Sequence, residues 1–184
     1  MTGSTTAPAA ALNTTMRHFV TGVTVLTCGS PAEAEGVTVS TLTTIPGDPP
    51  MVCVALRQGS RGLKSLLAAE TFVANGLAAD HEWLAHHFAR RRRPKGLAQL
   101  APRTWAEPSP NGAPRLQGAV SWLECRLERT VAAGDHELVM ARVLTGAATV
   151  GAPLVNFAGV LHPGPSSVPH AVNRAHPTNP ERKQ

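Results

Sequence analysis

Residues 35–66, EGVTVSTLTTIPGDPPMVCVALRQGSRGLKSL, hold most of the side chains in this chain that could do chemistry together. The segment opens as an alternating run dense in Thr and Ser hydroxyls, breaks at Gly47-Asp48-Pro49-Pro50, and resumes as the apolar run MVCVAL. A small basic loop, 57–64, then leads into a helical pattern. Two strands meeting at a Pro corner present short hydrogen-bonding groups on one side. The loop adds Ser60, Arg61, Lys64 and free backbone N–H groups, all suited to an anion. The combination fits a polar ligand with a phosphate tail.

Other titratable clusters are weaker. His81, Glu82, His86 and His87 suggest a metal site, but H-E-x-x-H needs its histidines four apart, whereas His81 and His86 are five apart and diverge by about 140° on a helix. No metal is expected there. Asp135-His136-Glu137 follows Ala132-Ala133-Gly134 and opens a strand pattern. Gly134-Asp135 is turn chemistry, and His136 can donate a hydrogen bond or take up charge near neutral pH. Arg90, Arg91, Arg92 and Arg93 form a run that reads either as a solvated basic loop or as a groove for an acidic ligand.

The elements that must position these groups are mostly strands. The chain has 184 residues, a single-domain length, and 42% apolar content, with 16 Gly, 16 Pro and no Tyr. Leu12, Met16 and Phe19 fall at helical spacing and predict a short helix packed on the body. Residues 23–27 read as a strand, 29–35 as a turn, and 71–77 as another strand. From Asp80 a helix follows, with Trp83, Leu84, His87 and Phe88 on one face. Residues 91–115 show no sustained period and read as a long loop, a lid or a disordered excursion. Two long alternating runs come next: 118–131, with Val120, Trp122, Glu124, Arg126 and Glu128 on one face, and 136–150 as its antiparallel partner. Residues 1–10 read as a disordered lead, 11–162 as the domain and 163–184 as a disordered tail. The sum is a small, mainly antiparallel barrel with Greek-key-like connections and a few peripheral helices.

Several classes drop out. The chain carries no G-x-x-x-x-G-K-[ST] and no G-x-G-x-x-G after a strand, so a dinucleotide would bind without a Rossmann domain. A net charge of +5 without interleaved aromatics argues against nucleic acid. No run approaches a membrane span, and the start lacks a secretion signal, so the expected compartment is the cytoplasm. Cys28, Cys53 and Cys125, odd in number and beside apolar residues, read as reduced small hydrophobes.

The pieces RHFVTGVTVLT, GVTVSTL before a double Pro, the Ser60 loop, TFVANGL, HFAR and AAGDHELVMARV, in this order over residues 16–159, resemble the flavin reductase-like family. That resemblance implies a split β-barrel binding FMN or FAD, homodimeric, with NADH or NADPH as co-substrate. It also implies a role in secondary metabolism, supplying reduced flavin to a separate monooxygenase. It places Thr38, Ser40, Thr41, Leu42 and Asn75 along the flavin ring, and Ser60, Arg61 and Lys64 around its phosphate. Phe88, Ala89 and Arg90 fall on a flavin-contacting segment, and His136 lies near the flavin and nicotinamide. The chain departs from the pattern at PLVNFAGVLHP, with Asn156, Phe157, Val160 and Leu161 where relatives carry Tyr or His and then Arg or aromatic residues. The departure bears on the nicotinamide half of the reaction. It opens an alternative, a barrel repurposed to convert an apolar biosynthetic intermediate with or without flavin. A flavin carrier or sensor without turnover is a third reading.

Overall fold

The computed structural model describes residues 8–166. In chain order these form α1 (Pro8–Met16), β1 (Thr21–Gly22), β2 (Thr24–Cys28), β3 (Glu35–Val39), β4 (Thr43–Ile45), β5 (Met51–Arg57) and α2 (Arg61–Ala69). Then come β6 (Thr71–Gly76), α3 (Glu82–Ala89), β7 (Trp105–Ala106), β8 (Arg115–Leu116), β9 (Ser121–Ala133), β10 (His136–Ala148), β11 (Leu154–Phe157) and β12 (Val160–Pro163). The expected tail lies outside the described residues from 167 onward, and the expected lead does so up to residue 7. The helix α1 begins at Pro8, inside the stretch read as lead.

The main sheet has seven strands in the order β3-β2-β6-β9-β10-β5-β4. Its two edges, β3 and β4, are joined by residues 40–42 alone. In a flat sheet those edges would lie six spacings apart, about 29 Å, whereas four Cα steps reach at most about 15 Å. The sheet must therefore curl until its edges approach each other. Thr41 helps hold the curl, because its hydroxyl accepts from Ala55 N at 3.2 Å and sits 3.3 Å from Ala55 O. No ladder joins β3 to β4, so the expected barrel is realised as a curled, open sheet rather than a closed one.

The helix α2 fills the concave side. Leu63 and Leu66 pack there with Leu26, Val54, Leu56, Phe72, Cys125 and Val139. Gly62 permits the close approach to β3, since a Cβ there would stand 2.8 Å from Val37 Cβ. On the convex side a second core forms from Val23, Val25, Leu77, Leu84, Phe88, Leu116 and Leu154. With both faces covered, every residue of β2 is buried, and Glu124 and Cys125, neighbours on opposite faces of β9, are both fully buried. The alternation read for this strand therefore holds at Glu124 and Cys125, where neither face is solvent, whereas residues 128–133 of the same strand are exposed.

The segment from Arg90 to β8 is neither a lid nor an excursion. It is an ordered strap: Gly96 N donates to Ala34 O (2.9 Å), Leu97 N to Pro31 O (2.8 Å), and Trp105 Nε1 to Leu97 O (2.8 Å). Its backbone bonds land on the turn that leads into β3, at Pro31 and Ala34. Farther on, three buried polar side chains on the convex face anchor it. Thr27 donates to Pro114 O, Asn75 Oδ1 accepts from Leu116 N, and Glu124 Oε1 accepts from Ser109 Oγ and Asn111 N.

A small sheet of order β1-β11-β12 completes the body. Beside it α1 differs from expectation: Leu12, Met16 and Phe19 are 61%, 49% and 57% exposed, so the helix does not bury its apolar residues against this chain. Trp83 is likewise half exposed, because Leu84, Ala85 and Phe88 form the buried face of α3.

Candidate functional site

A cleft of about 520 Å³ opens where the end of β5, the start of α2, the end of α3 and residues 90–93 converge. The apolar alternation of β5 ends at Arg57, and the turn through Gln58 and Gly59, with Gly59 at φ +68°, redirects the chain into α2. Ser60 caps that helix: its Oγ accepts from Leu63 N at 3.3 Å. The hydroxyl hydrogen stays available to a ligand. The first amides of α2, at Arg61 and Gly62, have no acceptor within the helix, which makes its start a natural anion site.

Five arginines line the cleft: Arg57, Arg61, Arg90, Arg91 and Arg93. They are not equivalent. Arg93, its side chain 6% exposed, pairs with the fully buried Glu35 and donates to Gly36 O, while lying 5.4 Å above the Phe88 ring. Burial pulls its guanidinium below the ordinary arginine range, and Glu35 pulls it back up. Arg61 also turns to Glu35, with Nε 2.5 Å from Oε2. Arg57 lies 4.0 Å from Asp135, both being largely exposed, a weak pair. Arg90 and Arg91 are exposed and face the cleft.

A second cleft, of about 890 Å³, lies between α1 with its following turn and the β11–β12 hairpin. Arg17, His18, Ser40, Thr41, Asn156 and Gly159 line it. The His18 and Phe157 rings meet edge to face at 6.2 Å on its rim.

The structure sorts the residues anticipated from sequence into groups. Ser60, Arg61, Phe88, Ala89 and Arg90 meet at the first cleft, and Ser40 and Thr41 at the second. His136 lies beside the first cleft, registered across from Arg57. Its Nδ1 is 2.7 Å from Asp135 Oδ1, and that hydrogen bond and charge hold the Asp135 carboxyl below its usual range. The Gly134-Asp135 turn delivers both, with Gly134 at φ +62°.

Four residues are brought to neither cleft. Thr38 donates to Ala85 O at 2.7 Å and ties β3 to α3. Leu42 packs on the concave core. Asn75 is fully buried, donating to Val25 O and Thr27 Oγ1, so its amide is a strut for the strap. Lys64 points to solvent on α2, one turn beyond the residues that line the cleft. Of the histidines near α3, His86 meets Glu82 at 3.3 Å, His87 meets Gln99 at 3.2 Å, and His81 lies 3.9 Å from Asp80. Sequence reading missed Glu35 and Arg57. Glu35 had one signal, a lone carboxylate opening an otherwise apolar and hydroxyl-bearing strand.

A family model described as the flavin reductase like domain matches residues 16–165, and the chain belongs to that family. It is 36% identical over 127 residues to an NADH-dependent FAD reductase from Streptomyces globisporus, covering 69% of each. It is 35% identical over 147 residues to an NADPH-flavin oxidoreductase from Streptomyces viridifaciens, covering 79% of this chain and 76% of the relative. Among solved structures it resembles BorF, the flavin reductase component of a bacterial two-component tryptophan halogenase. That match has a TM-score of 0.79 at 33% identity and covers 85% of this chain and 98% of BorF.

Proposed function

We propose that this chain is an NAD(P)H:flavin oxidoreductase of the split-barrel type that supplies reduced FMN or FAD to a partner monooxygenase. The observation that carries the reading is the Ser60 cleft, where a capped helix start, Ser60 and the exposed Arg90 and Arg91 converge in a way that suits a phosphate, in a chain of this family. The proposed domain spans residues 11–162.

Bound flavin would supply the hydride acceptor, and NADH or NADPH the donor. The chain's own residues bind and align. Ser60, the α2 amides, Arg90 and Arg91 hold the phosphate, and Phe88 and Ala89 shape the apolar wall beside it. Ser40 and Thr41 offer hydroxyls to polar ring edges from the second cleft, where Arg17 and His18 add cationic and imidazole donors. His136, steadied by Asp135, can donate a hydrogen bond to charge that develops nearby. Such a protein gains rate by alignment and electrostatics more than by covalent chemistry.

A homodimer fits the same surface. Met16 and Phe19 line the second cleft, and Val20, Phe157 and Val160 are chain neighbours of its lining residues; all five are 39–63% exposed. Apolar groups gathered this way mark interfaces. A cytoplasmic setting fits three free cysteines. Among the described residues no helix is long and apolar enough to cross a membrane.

The test is titration of the purified protein with FMN and FAD, followed by NADH and NADPH oxidation. Flavin fluorescence should quench with a micromolar or tighter midpoint, about 8 kcal/mol of binding. No quenching would sink the reading. Flavin binding without nicotinamide oxidation would favour the alternative conversion of an apolar intermediate, which the departures at Asn156, Phe157, Val160 and Leu161 open.

A further inference from the structure

One carboxylate divides the five arginines of the first cleft into two sets. Glu35, fully buried at the start of β3, accepts from Arg93 and, at 3.3 Å, from Arg61 Nη2. The same two arginines then grip the turn that follows α3. Arg61 Nη1 donates to Arg93 O at 2.7 Å, its Nη2 to Pro94 O at 3.3 Å, and Arg93 Nη1 to Arg90 O at 2.5 Å. Arg61 is thereby committed to the protein, although it lines the cleft. Arg90 and Arg91, whose side chains face the cleft, ride on the backbone that this clasp holds.

We infer that Glu35 is a positioning residue for phosphate recognition: by holding Arg61 and Arg93 together, it sets the 90–94 turn so that Arg90 and Arg91 face the flavin phosphate. The inference rests on the flavin reading above. Its physical basis is charge. Without the carboxylate, two neighbouring guanidiniums repel, and Arg93, nearly out of solvent, cannot be rehydrated unless its backbone moves. Arg90 is three residues away on that backbone, and its own carbonyl is one of the bonds lost. Gly36 lets Phe88, at the end of α3 just before the turn, seat closely on β3, since a Cβ there would lie 2.4 Å from the Phe88 ring.

The test is Glu35→Gln, which keeps the size and removes the charge, read by fluorescence titration with FMN and with riboflavin. The advantage of FMN over riboflavin should fall about ten-fold or more, the scale of a lost charge-assisted contact, while riboflavin binding changes little. Glu35→Asp should recover part of that advantage. Limited trypsin digestion should cut after Arg90, Arg91 or Arg92 faster in Glu35→Gln than in the wild type. If the single variant fails to fold, Glu35→Gln with Arg93→Met removes both partners of the buried pair, a change proteins tolerate better, and should show the same loss. A folded variant with an unchanged FMN-to-riboflavin ratio would overturn the inference, even if the turn loosens. A higher ratio would overturn it too, because Glu35 would then be competing with the phosphate for Arg61. Wild-type protein that binds neither flavin would remove the functional reading and this inference together.

Discussion

The two clefts are built on opposite principles. The first stands on a buried frame: Phe88 is 1% exposed between α3 and β3, and Glu35 clasps Arg61 and Arg93 beneath it. The second stands on exposed apolar residues, with Met16, Phe19 and Phe157 half in solvent. A site whose walls are locked within one chain can be formed before any ligand arrives, whereas one walled by unburied apolar groups is completed by whatever covers them. On the reading proposed above, the first cleft would hold the flavin phosphate on a preformed frame, and the second, which brings Ser40 and Thr41 to the ring, would be completed by whatever covers its apolar rim.

The largest expected effect comes from breaking the first frame. Phe88→Ala should destabilise the chain by roughly 3–5 kcal/mol in urea denaturation, whereas Phe157→Ala should cost under about 1 kcal/mol in the monomer. Equal losses would erase the distinction between the clefts. Next in size is the ligand contact itself. Arg90→Ala or Arg91→Ala should weaken FMN binding by roughly 1.5–3 kcal/mol and leave riboflavin nearly unaffected. Parallel losses for both ligands would show that these arginines shape the fold instead.

The frame also has a pH signature. Burial, with Glu35 nearby, pushes the Cys28 thiol up to about 12, and burial beside Glu124 does the same for Cys125, from an ordinary value of 9.0. Between those limits the unfolded chain has released protons that the folded chain keeps, so stability must fall as pH rises from 9 toward 12. Cys28→Ala should flatten that decline in thermal melts. At pH 8 a thiol reagent should label Cys53, which is half-buried, well before the other two. Rapid labelling of all three in folded protein would contradict the packing described for β2 and β9.

The smallest effect is expected at Lys64. Because it points to solvent beyond the cleft, Lys64→Ala should change FMN affinity by less than about 0.5 kcal/mol. A loss on the scale of the Arg90 substitution would mean that the ligand extends along α2, past the cleft as it stands.

Much of the fold was legible because periodicity and punctuation are local. The strands around the Pro corner, the 71–76 strand, the helix after Asp80 and the long β9–β10 hairpin all declare themselves by alternation, helical spacing or a Gly-Asp turn. The Ser60 loop, too, could be placed at a helix start from its own residues. Asn75 and Glu35 could not be assigned that way. A buried Asn reads the same whether it meets a ligand or a backbone strap, and which one depends on residue 116, forty-one positions away. The basic run shows the same limit: four consecutive arginines are chemically alike, yet Arg93 is buried on a carboxylate 58 residues earlier while Arg90 and Arg91 face a cleft.

By itself the sequence determined a mainly β chain, its element order, a helix start able to hold an anion, and the family it resembles, since each depends on neighbouring residues. Only the tertiary structure decided that the sheet curls without closing, that the segment from Arg90 to β8 is a strap, and which arginines turn to a buried carboxylate and which face a cleft. Those outcomes follow from long-range partners competing for the same groups, and a linear pattern does not record which partner wins.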